Sequence, residues 1–273
     1  MAAFSPEIVA LFLLLGLVNG FVAGLFGIGG GVILVPLFLW AFAFVGFAPD
    51  LIVHIAFGTS LAIIIPTAFS ATLGNRKRGN VRGRQVLALA GGSLLGAACG
   101  SWLAAELPGT VLKALFGVMQ IGVGLKMFLF RPHLPPEAQG RIARRKLLAV
   151  GFAGGAFSAF FGIGGGVVTV PLLVIALRLP IHLAIGNSSA LIVVSSLVGT
   201  LSYVAHGWNV PGLPPHTLGY VHALVALMVA PLSILGARLG VRLAARMRTD
   251  RLMQVFAVFL IAVGLYMVVS LWL

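Results

Sequence analysis

The stretch from Phe26 to Leu37 reads FGIGGGVILVPL, and it returns as FGIGGGVVTVPL at residues 161–172 with ten of twelve positions identical. Further motifs recur in the same order: HIAFGTS from His54 is echoed by HLAIGNS from His182. Motifs that repeat in one order indicate an internal duplication. The sequence therefore predicts two related halves and a basic linker, at residues 1–130, 147–273 and 131–146 respectively.

The composition of the chain is that of a membrane protein. Of its 273 residues, 60% are hydrophobic and 8% are charged, whereas soluble domains carry about 25% charged residues. Long apolar runs recur throughout, which is typical of an all-α polytopic membrane protein. Ten apolar segments are predicted, at residues 8–26, 32–47, 51–73, 86–105, 110–130, 147–161, 167–179, 183–205, 219–241 and 252–272.

The basic residues predict an orientation. The chain has 18 Lys and Arg but 5 Asp and Glu, and the basic residues collect at 76–84, 131–146 and 238–251. With ten crossings, all three stretches fall on one side of the membrane. The positive-inside rule makes that side the cytoplasm and places both termini outside. Because the charges stand where orientation requires them, we expect no nucleic-acid partner.

The charges also predict that the halves are inverted. Each half holds five segments, and an odd number turns the second copy upside down. The connection at 75–85 has five basic residues, whereas its counterpart at 206–218 has no Lys or Arg. The connection at 106–109 has none, whereas its counterpart at 243–251 has three. Equivalent connections thus differ in charge, as inverted repeats require.

Each half contains a glycine-rich break between apolar segments. Glycine is unfavourable inside a helix, by roughly 1 kcal/mol relative to Ala, and exposed backbone is costly in hydrocarbon. The helix that resumes after each break offers unpaired N–H groups and its positive dipole end, which suit an oxyanion. The candidate substrate-binding glycines are Gly27, Gly29, Gly30, Gly31, Gly162, Gly164, Gly165 and Gly166.

Two arrangements of these breaks are open. Full spans would place one break near each membrane face, whereas re-entrant or broken helices would place both near the midplane, facing each other. Segments 32–47 and 167–179 are short for spans of about 20 residues, which favours the second arrangement. Close helix packing or a hinge is the competing interpretation of both breaks.

A second group of polar residues stands at equivalent places within two apolar segments: Thr59, Ser60, Asn187, Ser188 and Ser189. Hydroxyls and amides can donate to an anion, but they can equally bond to backbone carbonyls of their own or a neighbouring helix. Asn19 is a further candidate. Its counterpart is Gly154, so any role would be asymmetric.

His54 and His182 occupy equivalent positions near opposite membrane faces. A coupling or gating role is one interpretation, and a structural role at the interface is the other. His206, His216 and His222 are expected in the outer aromatic belt. All five acidic residues lie away from the middle of the segments, which disfavours carboxylate cation sites. No catalytic motif, metal site or cofactor is predicted.

The doubled GIGGG motif, each copy followed by Val-Pro and then by Gly-Thr-Ser or Gly-Asn-Ser, resembles the TauE/SafE sulfite exporter family. The resemblance covers both halves. It implies a multi-pass permease of the bacterial inner membrane whose substrates are sulfite, sulfoacetate and other organosulfonates. The second half departs from the commoner family pattern at Asn187, where that pattern has Thr.

These observations together predict a secondary transporter that exports a small sulfur-containing oxyanion bound near the midplane between the two breaks. A passive anion channel, or an importer of sulfate or thiosulfate, is the alternative. An intramembrane enzyme that acts on a lipid phosphate is the distant one, and we expect no enzymatic activity. The expected partners are the anionic substrate and the lipid bilayer, and assembly as a homodimer is left open.

Overall fold

The computed structural model describes residues 5–26, 30–129, 142–244 and 249–270. Within these ranges the chain forms ten helices and one pair of two-residue strands. The helices are α1 (Pro6–Phe26), α2 (Gly31–Val45), α3 (Pro49–Lys77), α4 (Gly83–Glu106), α5 (Gly109–Leu129), α6 (Arg144–Phe160), α7 (Gly166–Ile175), α8 (Ile181–Gly207), α9 (Ala223–Ala244) and α10 (Thr249–Val269). Strands β1 (Thr217–Leu218) and β2 (Val221–His222) pair antiparallel between α8 and α9.

The predicted all-α polytopic fold is confirmed. Each helix covers one predicted apolar segment, with ends displaced by at most four residues. Among the described residues, six helices are long and apolar enough to cross a membrane: α1, α3, α4, α5, α8 and α9. Most of the predicted linker, residues 131–141, lies outside the described residues, and the domain boundaries stay a prediction.

Equivalent helices of the two halves run antiparallel. A Cβ built on Gly58 of α3 would lie 3.1 Å from the Tyr203 Cβ of α8, and one built on Gly199 would lie 2.8 Å from Leu61 Cδ1. Helices α5 and α10 are also antiparallel, because Gly117 of α5 contacts Gly264, whereas the later Gly124 contacts Ala257, which comes earlier in α10. Each of these four helices thus packs on its own counterpart in reverse, which is the geometry of an inverted repeat.

Small residues let the remaining long helices approach closely. On α4, a Cβ at Gly92 would lie 2.9 Å from the Phe152 nitrogen of α6, and one at Gly100 would overlap the Ala156 carbonyl. On α1, a Cβ at Gly16 would lie 2.8 Å from the Val229 carbonyl oxygen of α9. Pair α4–α6 is the symmetry counterpart of pair α9–α1, and both pairs are parallel. Gly96, Gly100 and Gly236 therefore lie where the helices approach too closely for a larger residue.

The shortness of α2 and α7 sets them apart from the spans. They contain 15 and 10 residues, and at a rise of 1.5 Å per residue α7 extends over only about 15 Å. Each begins at a glycine break and contains a proline, Pro36 or Pro171. The predicted helices broken by glycine are therefore present in both halves.

The burial of His222 differs from the expected position in the aromatic belt. The β1–β2 turn leads the chain back into the interior of the protein. There the His222 ring stacks on Phe47, with ring centroids 5.7 Å apart. His222 is 0% exposed, whereas nearby Trp208 is 64% exposed. A tight turn before α9, which hydropathy does not reveal, accounts for the difference.

Candidate functional site

The second glycine break is a tight left-handed turn between α6 and α7. Gly162, Gly164 and Gly165 have φ of 66°, 72° and 78°, a region that residues with a Cβ rarely adopt. The Ile163 nitrogen donates to the Ser158 carbonyl oxygen at 3.1 Å, and α7 begins directly after Gly165. The glycines are thus required by backbone geometry, whatever else they bind.

The first break is described from Gly30 onward, and Gly27 and Gly29 lie outside the described residues. Gly30 has φ of 84° and precedes α2, as Gly165 precedes α7. A Cβ added to Gly31 would overlap the backbone of Ile163. The structure therefore brings the two breaks into direct contact, with Gly31 of the first half packed on the backbone of the second.

Both breaks present the N-terminus of a helix that has no side-chain cap. The carbonyl of Gly30 accepts from the nitrogens of Ile33 and Leu34, and Gly165 repeats this pattern for α7. Glycine at the N-cap provides no side-chain oxygen, and neither helix has a side-chain cap hydrogen bond. The first N–H groups of α2 and α7, those of Gly31 and Gly166, are therefore available to an acceptor from elsewhere.

Ser60 ties the first half to the second break. Its Oγ donates to the carbonyls of Gly162 and Phe57, the latter at 2.9 Å. Its counterpart Ser188 is also buried, but Ser188 Oγ has no hydrogen-bond partner within the described part of the chain. The two equivalent hydroxyls therefore differ: that of Ser60 is engaged in hydrogen bonds, whereas that of Ser188 is available to form one.

Thr59 and Asn187 occupy equivalent positions within α3 and α8. Thr59 Oγ1 accepts from the backbone nitrogen of His222 at 2.9 Å, and Asn187 Oδ1 accepts from that of Arg82 at 3.0 Å. Asn187 Nδ2 also donates to Gln85 Oε1 at 2.9 Å. Thr59 thus holds the start of α9 against α3, and Asn187 holds the start of α4 against α8. Contact with a substrate would compete with these bonds.

Ser189 bonds within its own helix. Its Oγ donates to the Gly186 carbonyl at 2.7 Å, which is the common behaviour of serine in apolar helices. Of the five predicted polar candidates, Ser188 is thus the one whose side-chain oxygen has no protein partner among the described residues.

The two equivalent histidines have different surroundings. His54 is buried, its Nε2 lies 3.1 Å from the Leu107 carbonyl oxygen, and its ring stacks on Tyr220 at 4.9 Å. His182 is exposed at the start of α8. His54 therefore links α3 to the α4–α5 connection, whereas His182 makes no equivalent contact within the described residues.

Sequence reasoning missed Gln120. It lies within α5, is 0% exposed, and donates Nε2 to the Val32 carbonyl oxygen at 2.8 Å, one turn into α2. An amide within an apolar segment was the available signal, since buried polar groups need partners. Its counterpart in the second half is Leu260, so the duplication did not draw attention to it.

A hydroxyl cluster beside the second break was also missed. Ser158 Oγ and Ser195 Oγ are 2.8 Å apart, and Thr169 Oγ1 would lie 3.1 Å from a Cβ on Gly165. All three residues are buried. The corresponding first-half residues are Ala23, Leu34 and Thr67, so the two breaks have different polar surroundings.

Comparisons with known proteins agree with these features. A family model described as sulfite exporter TauE/SafE matches residues 12–267. A probable membrane transporter protein of Haemophilus influenzae is 30% identical over 260 residues, covering 95% of this chain and 97% of that protein. One from Xylella fastidiosa is 33% identical over 258 residues, covering 93% and 92%. YunE of Bacillus subtilis, also a probable membrane transporter protein, is 26% identical over 271 residues, covering 93% and 95%.

No solved structure matches the chain. The family match extends from α1 to α10, so it includes both glycine breaks. These relatives are named probable membrane transporter proteins, and the match covers nearly their whole length. This protein is a multi-pass membrane transporter and not an enzyme, and it belongs to the sulfite exporter TauE/SafE family.

Proposed function

We propose that this transporter is a secondary carrier that exports a small sulfur-containing oxyanion, such as sulfite, sulfoacetate or another organosulfonate. The observation that carries the proposal is the contact between the two breaks, where Gly31 at the uncapped N-terminus of α2 packs on Ile163, two residues before the N-cap of the equally uncapped α7. Such N-termini bind oxyanions through backbone N–H groups and the helix dipole. The anion would be held by both halves at once.

The interior around the breaks favours an anion over a cation. The buried polar residues among those described are Asn, Gln, Ser, Thr and His, with no Asp, Glu, Lys or Arg. A cation would lack a buried carboxylate to neutralise it. An anion would have the positive ends of α2 and α7, so the electrostatic preference is for negative charge.

The inverted repeat supports alternating access. Each break belongs to one half yet packs on the other, as the Ser60–Gly162 hydrogen bond illustrates. Rocking of one half against the other would open the site to one side at a time. Sulfate or thiosulfate import and passive conduction are the outcomes that the test must separate from this carrier mechanism.

The helix directions support an inner-membrane orientation with basic ends in the cytoplasm. Helices α4 and α6 are parallel, so Arg84 near the start of α4 and Arg144 at the start of α6 lie at one end of the pair. Asp50, at the start of α3, and Glu106, at the end of α4, lie at the end opposite to these arginines. A membrane potential that is positive outside favours anion exit, by about 2.3 kcal/mol per charge per 100 mV.

Flux in proteoliposomes tests the proposal. We expect saturable uptake of labelled sulfite or methanesulfonate that is accelerated by unlabelled anion on the opposite side. Flux without this acceleration, together with large unitary currents, would indicate a channel. No flux that depends on the protein, for any of these oxyanions, would contradict the proposal.

A matched pair of glycine variants tests the location of the site. Gly30 and Gly79 both have positive φ, at 84° and 73°, but a Cβ on Gly79 would meet nothing within 4 Å. Both substitutions by Ala therefore carry similar backbone strain, and only Gly30→Ala alters a break. We expect Gly30→Ala to lose anion binding in folded protein, while Gly79→Ala retains it. Equal binding by the two variants would remove the first break from the site.

A further inference from the structure

Asn19 is a buried amide with one unused polar atom. Asn19 is 3% exposed, and its Nδ2 donates to Ser233 Oγ of α9 at 2.8 Å. Its Oδ1 has no hydrogen-bond partner within the described part of the chain. Buried amide atoms are normally paired, so the surroundings of this atom call for an explanation.

The amide of Asn19 lies directly beside the start of α2. A Cβ built on Gly30 would lie 3.2 Å from Asn19 Nδ2 and 3.5 Å from Oδ1. Gly30 is the N-cap of this 15-residue helix, which has no side-chain cap. The unused polar atom and the uncapped N-terminus therefore share one buried location.

The second half has no equivalent amide. Gly154 stands in place of Asn19, and the polar atom nearest to a Cβ on Gly165 would be Thr169 Oγ1, at 3.1 Å. The two breaks therefore present an amide on one side and a hydroxyl on the other. A site formed by the two similar breaks would therefore be asymmetric, with an amide on the side of the first half and a hydroxyl on the side of the second half.

We propose that Asn19 is a substrate-binding residue, which donates Nδ2 to an oxygen of a sulfonate or related oxyanion held at the N-terminus of α2. The Ser233 hydroxyl can donate as well as accept. A half turn of the Asn19 amide therefore keeps the bond to Ser233 and places Nδ2 where the unpaired Oδ1 now stands, 3.5 Å from a Cβ built on Gly30. This inference rests on the proposed function and assigns to it a residue that the repeat does not predict.

Substitution of Asn19 by Asp separates binding from folding. Asp has nearly the same shape, and its carboxylate beside a helix N-terminus is favourable for the fold. We expect Asn19→Asp to keep the wild-type melting temperature or raise it, yet to bind methanesulfonate at least tenfold more weakly, because the carboxylate repels the anion. Asn19→Ala should weaken binding about tenfold, the loss of one charge-assisted hydrogen bond.

Two further variants complete the design in the purified full-length protein. Ser233→Ala keeps the Asn19 amide and should weaken binding less than Asn19→Ala does. Gly122→Ala, on α5 with nothing within 4 Å of the added Cβ, should bind as the wild type does. Methanesulfonate binding is measured by thermal shift, and methanesulfonate flux is measured in proteoliposomes.

Several results would overturn the assignment. Wild-type methanesulfonate affinity in Asn19→Asp would exclude an anion contact. Equal losses in Asn19→Ala and Ser233→Ala would make Asn19 a structural partner of Ser233. Stabilisation by Na⁺ that increases in Asn19→Asp would identify a cation site instead. Absence of binding and flux in the wild type would reject the proposed function, whereas normal wild-type activity with unchanged Asn19 variants would reject this inference alone.

Discussion

Gln120 donates its side-chain amide to the backbone carbonyl oxygen of Val32 at 2.8 Å. In an uninterrupted helix that carbonyl would accept from the N–H of residue 36, but Pro36 has no N–H. The Gln120 amide therefore replaces the hydrogen bond that proline removes, one turn after the first break. In the second half Pro171 is retained, but Leu260 stands in place of Gln120. The helix after the second break therefore has no equivalent amide to support it.

Replacing Gln120 should destabilise the protein. Gln120→Met keeps an unbranched side chain of similar volume but leaves the Val32 carbonyl unpaired in the core, at a cost of roughly 1–2 kcal/mol. We expect a lower melting temperature in detergent. Gly122→Ala on the same helix is the control, since its added methyl group meets open space and should leave the melting temperature unchanged or raise it. Equal melting of Gln120→Met and wild type would show that the amide bond is dispensable.

The equivalent serines Ser60 and Ser188 should respond differently to alanine. Ser60→Ala removes the hydrogen bond to Gly162 and should lower stability by about 1 kcal/mol. Ser188→Ala removes a buried hydroxyl that has no partner among the described residues, so stability should be unchanged or higher. Melting temperatures of the two variants provide the comparison. A larger loss for Ser188→Ala would contradict the described contacts.

Glycine packing between α4 and α6 gives a third prediction. A Cβ on Gly96 would overlap the Phe152 carbonyl, whereas one on Gly91 would lie 3.5 Å from Leu148 Cδ2 in ordinary contact. Gly96→Ala must push the helices apart, so we expect loss of monodisperse protein or a destabilisation of several kcal/mol. Gly91→Ala should behave as wild type in size-exclusion chromatography. Similar profiles for both variants would mean that the helices are not packed at this distance.

The helices and their inversion could be predicted because they depend on patterns along the chain. Hydropathy located each helix, and the contrast between the basic connection at 75–85 and its counterpart at 206–218 indicated inverted halves. The antiparallel contact of α3 with α8 agrees with that inversion. Periodicity and charge are local or summed properties, so one sequence was enough to recognise them.

The polar contacts could not be predicted because they depend on which helices meet. Thr59 and Asn187 were equally compatible with substrate binding and with backbone contacts, and the structure pairs them with the nitrogens of His222 and Arg82. Those partners lie more than 100 residues away in the chain. Gln120 was missed for a related reason, since its role appears only when α5 is seen beside α2.

His222 should make stability depend on pH. Burial, and then the charge of His216, lower the pKa of His222 to about 4, whereas an unfolded histidine titrates near pH 6.5. Between these values the unfolded chain binds more protons, so stability should fall as the pH drops from about 6.5 towards 4 and stay constant above 6.5.

Variants of two histidines check this pH dependence. His222→Asn retains an acceptor for the Val225 nitrogen, which lies 3.4 Å from His222 Nδ1, but it does not titrate. Its melting temperature should therefore depend less on pH between 6.5 and 4. His182→Asn, at an exposed position, should keep the wild-type dependence. Identical pH profiles for His222→Asn and wild type would assign the acid sensitivity to other groups.

The charge of the site should determine the valence of its substrate. The N-termini of α2 and α7 each contribute about half a positive charge, and no buried residue among those described is Lys or Arg. Together they offset about one negative charge, so two charges on one group, as in sulfate or fully ionised sulfite, would leave roughly one charge uncompensated in a medium of low dielectric constant, which is costly. Sulfite would therefore bind as hydrogen sulfite, and the second charge of sulfoacetate would lie outside the helix ends, on its separate carboxylate.

Competition between anions of similar size measures that preference. Methanesulfonate carries one charge and sulfate two, so methanesulfonate should inhibit flux of labelled substrate at a concentration at least about tenfold lower, equivalent to 1.4 kcal/mol. Methylphosphonate has the shape of methanesulfonate but a second ionisable proton. Its inhibition should strengthen as the pH falls and it becomes a monoanion, while inhibition by methanesulfonate stays constant. If sulfate inhibits as well as methanesulfonate, a positive group beyond the two helix ends must contribute to the site.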